Sequence, residues 1–219
     1  MTAFRVNLKG IGEMILVHHL RTGRPIFTVW LLEELGLDYE LKIYLRDAKT
    51  MRAQADLKEA HPLGKSPVIE DDGLKLSESG AIASYLIDNY DKDHSLAPLA
   101  TERTARAVYT QWLHYSEGSA FLPLLVKLVL TREEEPKPVI FSRFAAAEVP
   151  MHLNYIQDFL GDKNFLLGDR LQGPDFGMGY ILQLAQRVGE IGPYPKLESY
   201  LGRMMDRPAF QRAKQRAGE

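Results

Sequence analysis

The chain has 219 residues, 45% hydrophobic and 26% charged, with 27 Lys and Arg against 29 Asp and Glu and a net charge of −2. That balance fits an ordinary globular protein of one large or two modest domains, and it supplies no global field for nucleic acid or an anionic membrane. Cysteine is absent, which excludes disulfides, thiolate metal sites and a protein thiol nucleophile.

Residues 1–13 carry Arg5, Lys9 and Glu13 but no long apolar core, so they make a poor secretion signal and are expected to be a loose extension. Residues 14–18 form the first strand-like run. Pro25 suits a helix first turn, where its missing N–H costs nothing. Apolar residues then recur at helical spacing until Gly36 stops the helix. Leu41 and Ile43 alternate with charged residues as a second strand, and residues 50–60 suit a short helix. Val68-Ile69 and residues 74–76 flank Asp71-Asp72-Gly73, the clearest hairpin turn in the sequence. A helix follows over residues 78–90. This order, a parallel crossover and then an antiparallel hairpin, is a thioredoxin-like layout.

Residues 91–98 are polar, end in proline and read as a linker. Beyond them the pattern is helical: residues 101–130, bent near Gly118 or Pro123, then 139–160, 175–188, 196–205 and 208–214. The predicted fold is α/β plus all-α: an α/β domain over 14–90 and an all-helical domain over 99–219. The longest apolar run, residues 121–130, is too short to span a bilayer, and a cytoplasmic location is expected.

The most informative segment is His61-Pro62-Leu63-Gly64-Lys65-Ser66-Pro67-Val68-Ile69, with Leu76-Ser77-Glu78-Ser79-Gly80-Ala81-Ile82 after it. Pro67 is a candidate for a cis bond, since X-Pro sacrifices only about 0.5–1 kcal/mol for it. Such a bond would turn the Val68 backbone outward to pair with something peptide-like. Lys65 offers a cation, and Glu78 and Ser79 open a helix whose first N–H groups suit a carboxylate. These groups together could read both charged ends of a short peptide. His18 and His19, by contrast, point to opposite faces of a strand with no carboxylate or thiolate cluster beside them, and no metal is expected.

The same two segments resemble the glutathione-binding half of the cytosolic glutathione transferase superfamily, which has a G-K-x-P-x loop and a downstream E-S-x-A-I helix start. Residues 30–40 look like that family's first helix running into its second strand. Gly168-Asp169-Arg170-Leu171, with Asp175, looks like the start of its C-terminal core helix. Trp112-Leu113-His114-Tyr115-Ser116-Glu117-Gly118 looks like a subgroup with fungal and bacterial members. The resemblance implies the glutathione transferase fold, glutathione as co-substrate, a small hydrophobic electrophile and a homodimer. It places the glycine carboxylate of glutathione at Lys65, the peptide backbone at Val68, the γ-glutamyl end at Glu78 and Ser79, and the second substrate at Tyr109 and Leu113. Conjugation or its reversal is the implied reaction, with a glutathione-dependent peroxidase side activity. The alternative is a glutathione-binding protein without turnover.

One departure stands out. Serine-using relatives carry a serine directly before the arginine at the first helix, and this chain has Gly23 before Arg24. Three readings stay open: Thr22 supplies the thiol-activating hydroxyl, the helix-start N–H groups act alone, or the protein mainly binds. Thr22 could equally be a helix-capping hydroxyl. Gly23 permits close approach of a ligand. Asp175 is expected to be structural, meeting unpaired N–H groups at a buried helix start.

Overall fold

The computed structural model describes residues 14–219, so the expectation for residues 1–13 lies outside the described residues. Strand β1 (Ile15–Leu20) leads through a short loop into helix α1 (Pro25–Leu35) and strand β2 (Tyr39–Tyr44). Helix α2 (Leu57–Ala60), strands β3 (Val68–Asp71) and β4 (Leu74–Ser77), and helix α3 (Ser79–Tyr90) follow. The sheet order is β2-β1-β3-β4. β1 runs parallel to β2, with Val17 opposite Leu41, and antiparallel to β3, with Val17 opposite Ile69. The predicted thioredoxin-like arrangement is therefore present. Asp72 at φ 45° and Gly73 at φ 79° turn the β3–β4 hairpin, both in the left-handed region a tight hairpin demands.

Only the last four residues of the expected 50–60 helix are helical. The chain before them folds back on itself: Asp47 Oδ1 accepts the Lys49 and Thr50 N–H groups at 3.1 and 2.7 Å, Met51 sits at φ 57°, and the Asp47 N–H donates to the Arg52 carbonyl at 2.8 Å beside an Arg46–Ala53 bridge. A left-handed residue and a local antiparallel pairing both exclude a helix there.

After the 91–98 segment come helices α4 (Arg103–Tyr115), α5 (Phe121–Leu130), α6 (Val139–Leu160), α7 (Gly173–Arg187), α8 (Pro195–Met205) and α9 (Pro208–Ala217). The 91–98 segment is pinned: Asp91 accepts the Leu96 N–H at 2.7 Å, and the Leu96 carbonyl accepts the Gly173 N–H at 2.8 Å. The helix expected over 101–130, bent near Gly118 or Pro123, runs unbroken from Arg103 to Leu130, and a π-turn at Ser116–Ala120 divides it into α4 and α5. Gly118 lies within that turn, and Pro123 follows it as the third residue of α5.

The first eight residues of α1, Pro25 to Leu32, are apolar on every side except for Thr28, and all are buried. One side covers the sheet; the other meets α7 and α9, with Trp30 against Phe176 at 4.4 Å and Phe210 at 5.5 Å between ring centroids. Gly179 of α7 gives α1 room, since a Cβ there would come within 2.7 Å of the Phe27 ring. At the far end of α1, Glu34 holds Arg207 through two contacts of 2.5 and 2.9 Å, and Glu33 holds Arg212 at 2.7 Å. The helix that begins at the 21–24 loop is thus clamped into the helical layer.

Asp175 is fully buried at the start of α7, as the sequence suggests. It accepts the Leu166 N–H at 2.9 Å, the Gln172 N–H at 2.6 Å and the Tyr200 hydroxyl. Burial pushes its carboxyl up to about 6, against the pull of these three donors.

Candidate functional site

The β1–α1 loop, the 64–66 loop and the α5–α7 wall enclose a cleft of about 590 Å³. Thr22, Gly23, Arg24 and Lys65 all line it. The loop 64–66 is tied to β1 by Ser66, whose Oγ accepts the Leu20 N–H at 3.2 Å and donates to the His18 carbonyl. The Ser66–Pro67 bond is cis.

Thr22 is exposed and sits at φ 56°, a region β-branched residues rarely occupy. Both of its donors are engaged: the hydroxyl donates to the Arg21 carbonyl at 2.7 Å, and the N–H donates to Glu219 Oε1 at 2.9 Å. Glu219 also accepts a hydrogen bond from His19 Nε2 at 2.8 Å. A hydroxyl has one proton, and here it points into the protein's own backbone.

Gly23 is buried beneath the guanidinium of Arg46. A Cβ on Gly23 would lie 3.0 Å from Arg46 Nη2 and 3.3 Å from the Leu20 carbonyl oxygen. Arg46 is anchored by Nε to the Arg21 carbonyl at 3.1 Å and by Nη1 to the Met51 carbonyl at 3.0 Å. Its Nη2 is thereby turned toward the place a side chain at position 23 would fill. Burial lowers the Arg46 pKa, and the nearby Arg132 and Arg187 charges add to that. The guanidinium stays charged regardless.

Val68 does not have the place assigned to it. It is fully buried, in register with His18 on one side and Ser77 on the other, and the residue of this loop that lines the cleft is Ser66. Ser66 stands two residues earlier, on the loop side of the cis Pro67, whereas Val68 is already inside β3 with a strand on either side. Tyr109 is also displaced from its expected role. It lines neither the cleft nor the recess beside it, and its ring packs over Gly173, where a Cβ would collide with the phenol oxygen. Burial pushes its hydroxyl pKa upward.

Leu113 and Ser79 line a small recess of about 30 Å³ beside the cleft, together with Arg24, Phe27 and Glu117. Arg24 belongs to both cavities, its guanidinium 4.0 Å above the Phe121 ring and its Nε 2.7 Å from Glu117. Burial raises the Glu117 pKa; Arg24 draws it down, Glu78 pushes it up and Ser79 draws it down. Glu78 is exposed at φ 73°, immediately before α3. His18 and His19 engage separate partners, His18 contacting Tyr44 at 2.7 Å and Glu70 at 2.9 Å.

Sequence reasoning missed Ser66, Arg46, Glu117 and Glu219. Ser66 stood inside the quoted loop and Glu117 inside the quoted 112–118 segment, neither given a role. The other two reach the site through tertiary placement, Glu219 from 197 positions beyond Thr22, and local spacing carries no signal for them.

Residues 12–88 match the family model described as glutathione S-transferase, N-terminal domain. Glutathione S-transferase 3 of Schizosaccharomyces pombe is 31% identical over 90% of this chain and 85% of its own length. A crystal structure of a glutathione S-transferase from Actinobacillus pleuropneumoniae superposes with a TM-score of 0.85 at 35% identity, over 94% of this chain and 93% of that one. A glutathione transferase homologue from Lodderomyces elongisporus, solved with two glutathione molecules per subunit, has a TM-score of 0.80 at 23% identity over 93% and 98% of the two chains, a likeness of fold. With a relative above 30% identity aligned along most of both chains, and the thioredoxin-like sheet and helical remainder in place, the chain belongs to the glutathione S-transferase family.

Proposed function

We propose that the protein binds glutathione in the cleft and joins it through its sulfur to an electrophile. The observation that carries this reading is the convergence at Gly23 of a free guanidinium edge from Arg46 and the positive end of α1. Lys65 takes the glycine carboxylate, and Ser79 with Glu78 takes the γ-glutamyl end. A free cysteine thiol has a pKa of roughly 8.5, and a neighbouring cation and helix start stabilise the thiolate over the thiol. With the Thr22 hydroxyl committed to the Arg21 carbonyl, activation falls to Arg46 and the helix start rather than to Thr22. In conjugation the thiol proton goes to solvent, sulfur donates an electron pair to form the S–C bond, and the leaving group departs with the pair from its own bond. Reduction of a peroxide by the same thiolate is the side activity in keeping with this site.

The proposed organisation is a glutathione-binding domain over 14–90, a linker over 91–98 and a helical domain over 99–219. The assembly is a cytoplasmic homodimer. Val139, Ile140, Phe141 and Phe144 at the start of α6 are exposed and apolar, which supports an intermolecular surface. Sedimentation at micromolar concentration should give twice the monomer mass, and a monomer there removes this assignment.

Ser79→Ala and Glu78→Ala should each weaken glutathione binding about 10- to 100-fold, the loss of a charge-assisted hydrogen bond. Calorimetric titration with glutathione checks this; unchanged affinity in both variants would place the γ-glutamyl end elsewhere. The engaged Thr22 hydroxyl and the missing side chain at Gly23 favour one second reading, a glutathione-binding protein without turnover. Turnover against a panel of electrophiles separates the two.

A further inference from the structure

We infer that the second substrate is an anion, a carboxylate-bearing electrophile with an apolar body, rather than a neutral hydrophobic one. This deepens the transferase reading and rests on it. Among the described residues seven cationic side chains line the cleft and no Asp or Glu does, in a chain whose net charge is −2. Among the described residues only one of the seven, Arg24, has a carboxylate within 4.0 Å, the Glu117 partner already described. Glu219, which lines smaller neighbouring cavities with Arg187 and acts on Arg46 through its charge, is outside the cleft lining and is held by His19 and the Thr22 N–H.

Glutathione cannot account for so much positive charge. With its thiol ionised it brings two carboxylates, one thiolate and one ammonium, a net charge of about −2 against seven cations, and its proposed partners, Lys65, Arg46 and the start of α3, lie on the α/β side. Two cations stand on the opposite wall: Arg132, just after α5, and Arg187, at the end of α7. Both are exposed, and both are close enough to Arg46 to help depress its pKa. Like charges gathered around a cavity repel one another, and a bound anion relieves that repulsion. The same wall carries Phe121, Leu125, Leu128 and Tyr180. An apolar body against these side chains, with its carboxylate reaching Arg132 and Arg187, matches that wall in both respects. Arginine suits the task because its planar fork meets a carboxylate through two parallel hydrogen bonds. The carboxylate takes no part in the bond changes; it orients the electrophilic carbon toward the thiolate.

The test uses glutathione conjugates as product-like probes: S-methylglutathione, S-(4-methylbenzyl)glutathione and S-(4-carboxybenzyl)glutathione, titrated calorimetrically into the full chain. The carboxybenzyl conjugate should bind about tenfold more tightly than its methylbenzyl counterpart at low ionic strength. Raising salt from about 20 mM to about 500 mM should remove most of that preference, because exposed charges are screened. The double variant Arg132→Gln, Arg187→Gln should abolish the preference while leaving S-methylglutathione binding unchanged. Equal binding of the two benzyl conjugates by the parent protein, or a preference that survives in the double variant, overturns the inference. Failure of S-methylglutathione itself to bind overturns the glutathione reading beneath it, a distinct result.

Discussion

Replacing Arg46 with Met should raise the thiol pKa of bound glutathione by a unit or more and lower turnover about 100-fold, the usual effect of removing one donor aimed at a developing or resident anion. The prediction rests on Nη2, which is turned to the position left open by Gly23, while Nε and Nη1 are held by the Arg21 and Met51 carbonyls. Thiolate absorbance followed against pH reads the sulfur directly, and glutathione affinity measured well below the thiol pKa should change little. Arg46→Lys should restore part of the pKa shift, since it returns the charge without the fork. Thr22→Val serves as the comparison: with its hydroxyl given to the Arg21 carbonyl, it should leave the thiol pKa near the parent value. If Thr22→Val raises the pKa and Arg46→Met does not, the assignments of the two residues are reversed. Melting curves for each variant separate loss of chemistry from loss of the loop.

Asp175→Ala should destabilise the fold by about 3–5 kcal/mol, because it strands three donors at once, two of them buried. Two are backbone N–H groups, of Leu166 and Gln172, and the third is the Tyr200 hydroxyl. Tyr200→Phe removes one donor and leaves the carboxylate its two backbone partners, so it should cost about 1–2 kcal/mol. Urea unfolding monitored by circular dichroism gives both values. A deficit under about 0.5 kcal/mol for Asp175→Ala would mean that water or a rearranged α7 start replaces the carboxylate. Since α7 carries Gly179 and Tyr180 to the α1 contact and the cleft wall, activity should fall with the folded population and not before it.

The elements legible in the sequence are those whose patterns are local. Gly36 ends α1, Asp72-Gly73 turns the hairpin, and α6 shows its period through buried Val149, Leu153, Ile156 and Leu160. The first part of the 50–60 segment misleads because the chain there turns back, with Met51 left-handed and Ala53 bridged to Arg46, a pairing invisible to periodicity. The same division holds at the site. Lys65 and Ser79 are found through loop and helix-start motifs, while Tyr109 is misplaced because helical spacing gives a buried face without saying what covers it. In the structure α7 covers it, through Gly173. Arg46, Glu117 and Glu219 arrive from a strand end, a π-turn and a terminal helix, and topology alone unites them.

The π-turn at Ser116–Ala120 also sets a phase. Before it, α4 turns Tyr109 and Trp112 into the core; after it, α5 turns Phe121, Leu125 and Leu128 to the cleft. A helix advances about 100° per residue, so adding or deleting one residue here would rotate the whole of α5 by that angle against α4. Substitutions along α5 can retune the cleft wall one side chain at a time. A change of length in this stretch would exchange the wall entire, bringing to the ligand a set of residues that now faces water or protein. The count of residues between Trp112 and Phe121 is therefore as much a part of the specificity of this cleft as their identities.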